Sequence, residues 1–134
     1  MSRNQTNTAE LASKSLRVVP HSAEAERGVL GSVLLDVASE NRIMDLCVEN
    51  GLSPDSFYVP QNRLLFETLN EMSRASQVID AVTLNERLRA MGRLEEIGGS
   101  VFIQSLIDST PTAAHAEFYV DIVRQHHLLR RIVD

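Results

Sequence analysis

A chain of 134 residues, 43% of them apolar, is sized for one domain with a core of its own. A net charge of −5 argues against nucleic acid as the primary partner, because that affinity comes from cations that displace counterions at phosphates. The lone cysteine, Cys47, excludes an internal disulfide and a cysteine-based zinc cluster. The lone lysine, Lys14, lies upstream of the first glycine, Gly28, and so excludes a phosphate-binding P-loop.

Residues 1–17 (MSRNQTNTAELASKSLR) are rich in Ser, Thr, Asn and Gln and read as a disordered leader, with structure beginning near Val18–Pro20. They hold no apolar run of the kind a signal peptide needs, and no stretch of the chain is apolar enough for a membrane span. A soluble, cytoplasmic protein is the expectation. Ser22 reads as an N-cap, with Glu24 and Glu26 in the first helical turn, where the helix dipole favours anions. Val29, Leu30, Val33 and Leu34 then form an apolar stripe. Gly28 and Gly31 inside this helix predict close packing of a neighbour.

A second helix is predicted over 39–50, with Ile43, Leu46 and Cys47 on one face and Gly51 as its left-handed end. Ser53-Pro54-Asp55 opens a short turn that delivers Phe57 and Tyr58. Pro60 starts a helix whose Leu65, Phe66, Leu69 and Met72 share a face. Thr83-Leu84-Asn85-Glu86 matches a capping box, and its helix carries Leu84, Leu88 and Met91 up to Gly92. After the turn Leu94–Gly99, a helix holds Val101, Phe102, Leu106 and Ile107. Thr110-Pro111-Thr112 breaks the chain and launches the longest helix, 112–134, with Phe118, Tyr119, Ile122, Val123, Leu129, Ile132 and Val133 apolar. That helix runs to the last residue without a stop signal, so it is expected to be truncated or built to pair with another copy. The class is all-α.

Little of this is catalytic chemistry. His126 and His127 are adjacent and point about 100° apart on a helix, whereas a helical metal pair needs spacings of three or four. His115 has Phe118 and Tyr119 at those offsets, and Glu117 with Asp121 lacks a third ligand. Ser22, Thr83, Thr110 and Thr112 are each explained as helix caps, Glu95-Glu96 as a solvated face, and no nucleophile elbow occurs. Catalytic, cofactor and metal residues are therefore expected to be absent. The basic segment Arg124–Arg131 (RQHHLLRR) reads either as a solvated helix end or as a docking patch for an acidic protein surface.

Motif order carries more than any one motif. Pro20-His21-Ser22-Ala23-Glu24-Ala25-Glu26, Val29-Leu30-Gly31, Leu34-Leu35-Asp36, Pro54-Asp55-Ser56-Phe57-Tyr58, Asn62-Arg63-Leu64-Leu65-Phe66-Glu67 and Asp80-Ala81-Val82-Thr83-Leu84 succeed one another. Leu94–Gly99, Ser109–Ala114, Tyr119–Arg124 and Leu128–Arg131 follow. Over residues 20–133 this order resembles the N-terminal part of the bacterial replicative helicase family, DnaB. The resemblance implies a compact helical head over 18–110, followed by the first helix of a helical hairpin over 111–134, here truncated.

It further implies dimers within a hexameric collar, docking of primase, and contact with a helicase loader. DNA would be engaged only through a motor domain absent from this chain. No cofactor is expected here; ATP and magnesium belong to the parent protein. The segments Gly99–Ile103 and Leu128–Val133 match those that the family uses in contacts, which points to Phe102, Arg130, Arg131 and Val133 as partner-binding residues. On this reading a charge reversal at Arg130 leaves the fold intact. Phe102 stands where tyrosine is common in the family, and Cys47–Leu52 looks longer than usual. The alternatives are a free-standing helical regulator of a helicase or primase, a small DNA-binding helical protein, and a stand-alone enzyme.

Overall fold

The computed structural model describes residues 21–36 and 41–133, the side chain of Val133 excepted. The expected leader, 1–17, and the start of structure at Val18–Pro20 lie outside them. The described residues form α1 (Ala23–Leu35), α2 (Arg42–Glu49), α3 (Pro60–Arg74), α4 (Ala81–Ala90), α5 (Gly99–Asp108) and α6 (Ala116–Val133). Short 3-10 turns at Pro54–Ser56, Glu95–Ile97 and Ala113–His115 precede α3, α5 and α6. Among the described residues there is no strand, as the helical periodicity requires.

Helix α1 is the hub, with α2, α3, α5 and α6 all packed on it. Ser22 caps it, its hydroxyl accepting from the Ala25 N–H at 3.1 Å. Val29, Leu30, Val33 and Leu34 are buried, and so are Ala25, Gly28, Gly31 and Ser32, so this helix is enclosed on most sides. The two glycines have the predicted use. A Cβ on Gly28 would lie 2.6 Å from the Tyr119 ring, and one on Gly31 would lie 2.7 Å from the Leu106 carbonyl oxygen. Each therefore lets a neighbouring helix approach at backbone distance.

Helix α2 begins at Arg42; the predicted start at 39 lies outside the described residues. It ends as expected, with Gly51 at φ +79 donating to the Val48 carbonyl and Leu52 donating back to Cys47. Burial pushes the Cys47 thiol up to about 12, which keeps it an inert core group. Pro60 opens α3, whose Leu65, Phe66, Leu69 and Met72 face the core, where Phe57 and Phe66 stack at 4.7 Å between ring centres.

Two local expectations need correction. The capping box of α4 is formed by Asp80 and Thr83, not by Thr83 and Glu86: the Asp80 carboxylate accepts from the Thr83 N–H at 2.8 Å, and the Thr83 hydroxyl accepts from the Asp80 N–H at 2.9 Å. Asp80 wins because its backbone is extended while Thr83 is already inside the helix, leaving Glu86 to pair with Arg89 at the surface. On α5 the buried residues are Ile103 and Leu106. Val101 is 80% exposed, and Phe102 and Ile107 are half-buried. Thr110 is not a cap: its buried hydroxyl donates to the Leu106 carbonyl and fills the space beside Gly31.

The break at Thr110–Thr112 is a helix boundary without being a packing boundary. Thr112 accepts from the Ala114 N–H, the 3-10 turn follows, and Ala116, Val120 and Val123 of α6 then join the same core as α1.

Candidate interaction surface

Helix α6 has two unlike faces. Ala116, Val120, Val123 and Arg130 are buried, and the half-buried His127 falls on the same side at helical spacing. Phe118, Leu129 and Ile132 lie on the opposite side and are 65%, 47% and 80% exposed, with Leu128 beside them. Leu128, Leu129 and Ile132 form an exposed apolar set at the end of the helix, and Phe118 lies about three turns before them.

The inward face is fastened to the head by polar contacts near its end. The Arg130 guanidinium donates to the Ser56 carbonyl at 2.7 Å and lies 5.7 Å over the Tyr58 ring. The Ser56 hydroxyl and the His127 Nδ1 are 3.1 Å apart. Tyr58 stacks in turn on His21, with ring centres 4.2 Å apart. The turn that carries Ser56 is itself pinned to α1 by Glu26. That carboxylate is buried and accepts from the Tyr58 N–H at 2.8 Å, the Val59 N–H at 3.2 Å and the Asn62 amide at 3.0 Å. Glu26 therefore supports the Pro54–Val59 segment on which the end of α6 rests.

The four predicted contact residues are not one cluster. Arg131 is exposed at the end of α6. Arg130 turns inward, where its hydrogen bonds make it part of the fold; the expectation that a charge reversal there spares folding is corrected on that ground. Val133 closes the helix, and its side chain lies outside the description. Phe102 sits on α5, half-buried against the core beside Gly98; α5 packs on α1 and α4, whereas the end of α6 rests on the Pro54–Ser56 turn and α2.

Sequence reading missed Glu26, Ser56 and His127. For Glu26 a signal existed, because at helical spacing it shares the face of Val29, Leu30 and Val33, where a solvated carboxylate does not belong. For Ser56 and His127 no local signal existed, since they are 71 residues apart. Burial, Arg130 and Arg131 lower the His127 pKa below its ordinary 6.5, and Asp55 opposes them. Among the described residues no three His, Cys, Asp or Glu side chains come close enough to hold a metal ion, and no helix is long and apolar enough to cross a membrane.

Comparison with known proteins places this geometry in a family. Residues 18–125 match the family described as the DnaB-like helicase N-terminal domain. The chain is 33% identical over 132 residues to the replicative DNA helicase DnaB of Haemophilus influenzae, covering 98% of this chain and 27% of that protein. It is 40% identical over 116 residues to the replicative DNA helicase DnaB of Treponema pallidum, covering 87% of this chain and 25% of that protein. The crystal structure of the N-terminal domain of DnaB helicase from Mycobacterium tuberculosis superposes with a TM-score of 0.79 at 34% identity, covering 87% of this chain and 80% of the other. The chain thus spans about a quarter of the length of the relatives it matches.

Proposed function

The chain belongs to the DnaB-like helicase N-terminal domain family, and from that premise we propose that its own task is association: subunit pairing within a helicase collar, and docking of primase. The observation that carries this is the exposed apolar face of α6, Phe118, Leu128, Leu129 and Ile132, on a helix whose other face is already buried. Covering such side chains is worth about 25 cal/mol per Å² of apolar area removed from water, so a second helix laid along this face is the natural cover. The exposed Arg131 adds a cation at its edge that suits a carboxylate on the partner.

Unwinding driven by ATP and magnesium belongs, on this proposal, to the three quarters of the relatives' length that this chain does not match. The sequence supports the division, because Lys14 has no glycine-rich loop around it. A helicase loader is a further partner by the same family reasoning.

Light scattering on the purified chain, combined with binding to the C-terminal domain of the cognate primase, tests the proposal. Dimers or higher species at tens of micromolar, and a saturable primase complex, are expected. A strict monomer that binds no primase overturns it. Tight, steeply salt-dependent binding to DNA would instead favour a DNA-binding protein.

A further inference from the structure

We propose that the groove between the end of α3 and α4 is a second docking site, for a segment of a partner protein that carries an apolar side chain beside a carboxylate. None of the lining residues belongs to α6, so the inference is independent of the surface proposed above.

The groove follows from how α3 hands over to α4. Helix α3 closes with Ser76 at φ +57 and the Gln77 N–H donating back to the Met72 carbonyl at 2.9 Å. The chain then crosses to Asp80, which caps α4. On the way Ile79 turns into the core, which leaves its neighbour Val78 64% exposed. On α4, Leu84 and Leu88 are buried, so helical spacing sets Val82, Glu86, Arg87 and Ala90 along one other side. Val82 is 71% exposed. Met72, Val78, Val82 and Ala90 supply the apolar part of a groove of about 590 Å³. Two large aliphatic side chains facing water across one groove are a surface that a partner's apolar side chain can cover.

Two charged groups line the groove, and one of them is engaged. Glu86 pairs with Arg89 at 2.8 Å. The Thr83 hydroxyl is likewise committed, accepting from the Asp80 N–H and donating to the Asp80 carbonyl. The Arg87 guanidinium makes no hydrogen bond among the described residues. Glu71 Oε2 stands 3.8 Å from its Nη2, and its buried Nε has no acceptor. Arginine is a planar fork of donors shaped for a carboxylate. Turning this fork toward one breaks no hydrogen bond and offers Nε the acceptor it lacks. A cationic group would instead meet the one lining charge that nothing neutralises at hydrogen-bond distance. Arg87 and Ala90 are three residues apart on α4, so the fork borders the apolar part. The occupant must therefore present its carboxylate within about one helical turn of its apolar side chain.

Selection of random peptides of about a dozen residues, displayed on phage, against the full chain tests the proposal. Enriched peptides are expected to carry Leu, Ile, Val or Phe within one helical turn of Asp or Glu. A synthetic enriched peptide should shift the amide NMR signals of Val78, Val82 and Arg87. Its affinity, read by fluorescence anisotropy, should fall about tenfold or more in Arg87→Gln and in Val82→Ser. It should stay unchanged in the Phe118→Glu, Ile132→Glu double variant, which alters only the α6 surface. Enriched peptides without acidic residues, undiminished binding to Arg87→Gln, or no enrichment at all would overturn the proposal. So would shifts confined to other parts of the unsubstituted chain, a result independent of any variant's folding. Loss of self-association in Val82→Ser, read by light scattering, would make the occupant a second copy and overturn it too.

Discussion

Glu26 shows how a single side chain can hold a junction. Its buried carboxylate closes hydrogen bonds from two partly buried backbone N–H groups and one buried amide at the start of α3. Replacing it with alanine leaves these donors without acceptors, at about 1–3 kcal/mol for each buried group left unsatisfied. Glu26→Ala should therefore lower the midpoint of thermal denaturation by several degrees, and Glu26→Gln should lose less, because one acceptor oxygen remains. The glycines of α1 give a second residue-scale test. A methyl group at Gly28 meets the near end of the Tyr119 ring, a side chain that must turn off α1, whereas at Gly31 it meets the Thr110 hydroxyl and the backbone carbonyl of Leu106, which has no side-chain torsion to turn. Gly31→Ala should destabilise by about 1–3 kcal/mol, measured by denaturant unfolding, and more than Gly28→Ala.

At the scale of elements, cap chemistry separates what the sequence implies from what the chain does. Asp80→Ala should cost about 1 kcal/mol and Glu86→Ala less than about 0.5, the reverse of what a Thr83–Glu86 box requires. The same holds at the end of α6. Arg130→Glu should lower thermal stability, because it removes a donor from the Ser56 carbonyl and places a carboxylate there; Arg131→Glu should leave stability within about 0.5 kcal/mol. Helices were legible in the sequence wherever apolar spacing and chain-breaking residues agreed, as for α1, α3 and the Gly51 end of α2. Faces were less so. Val101 and Ile103 are both β-branched and apolar, and only the position of α1 and α4 decides that Ile103 turns in. Arg130 was legible as a cation near a helix end, but its direction is set by the Ser56 carbonyl, 74 residues earlier in the chain.

At the scale of the whole molecule, family membership was legible in motif order, because a succession of weak motifs over residues 20–133 constrains more than any strong local signal. Packing was not, since the sequence divides at Thr110 while the core runs on through Ala116, Val120 and Val123. An association domain should also reveal itself in thermodynamics. Where the associated form is the folded form, the denaturation midpoint rises with protein concentration. Differential scanning calorimetry at two concentrations about tenfold apart should show that rise for the parent chain. A Phe118→Glu, Ile132→Glu double variant should show none while keeping its helical circular dichroism, since both side chains point away from the core.

The outer face of α6 also constrains the shape of whatever covers it. Phe118, Gln125, Leu129 and Ile132 follow one another in steps of seven, four and three, and Ile122, which would complete a seven-residue repeat, is half-buried against the core. A straight helix turns once in 3.6 residues, so a stripe repeating every 3.5 drifts by about 20° per seven residues, and a partner that winds with it in a left-handed sense follows it most closely. The partner should cross at about +20°, knobs into holes, and not at the steeper −50° of most globular helix pairs.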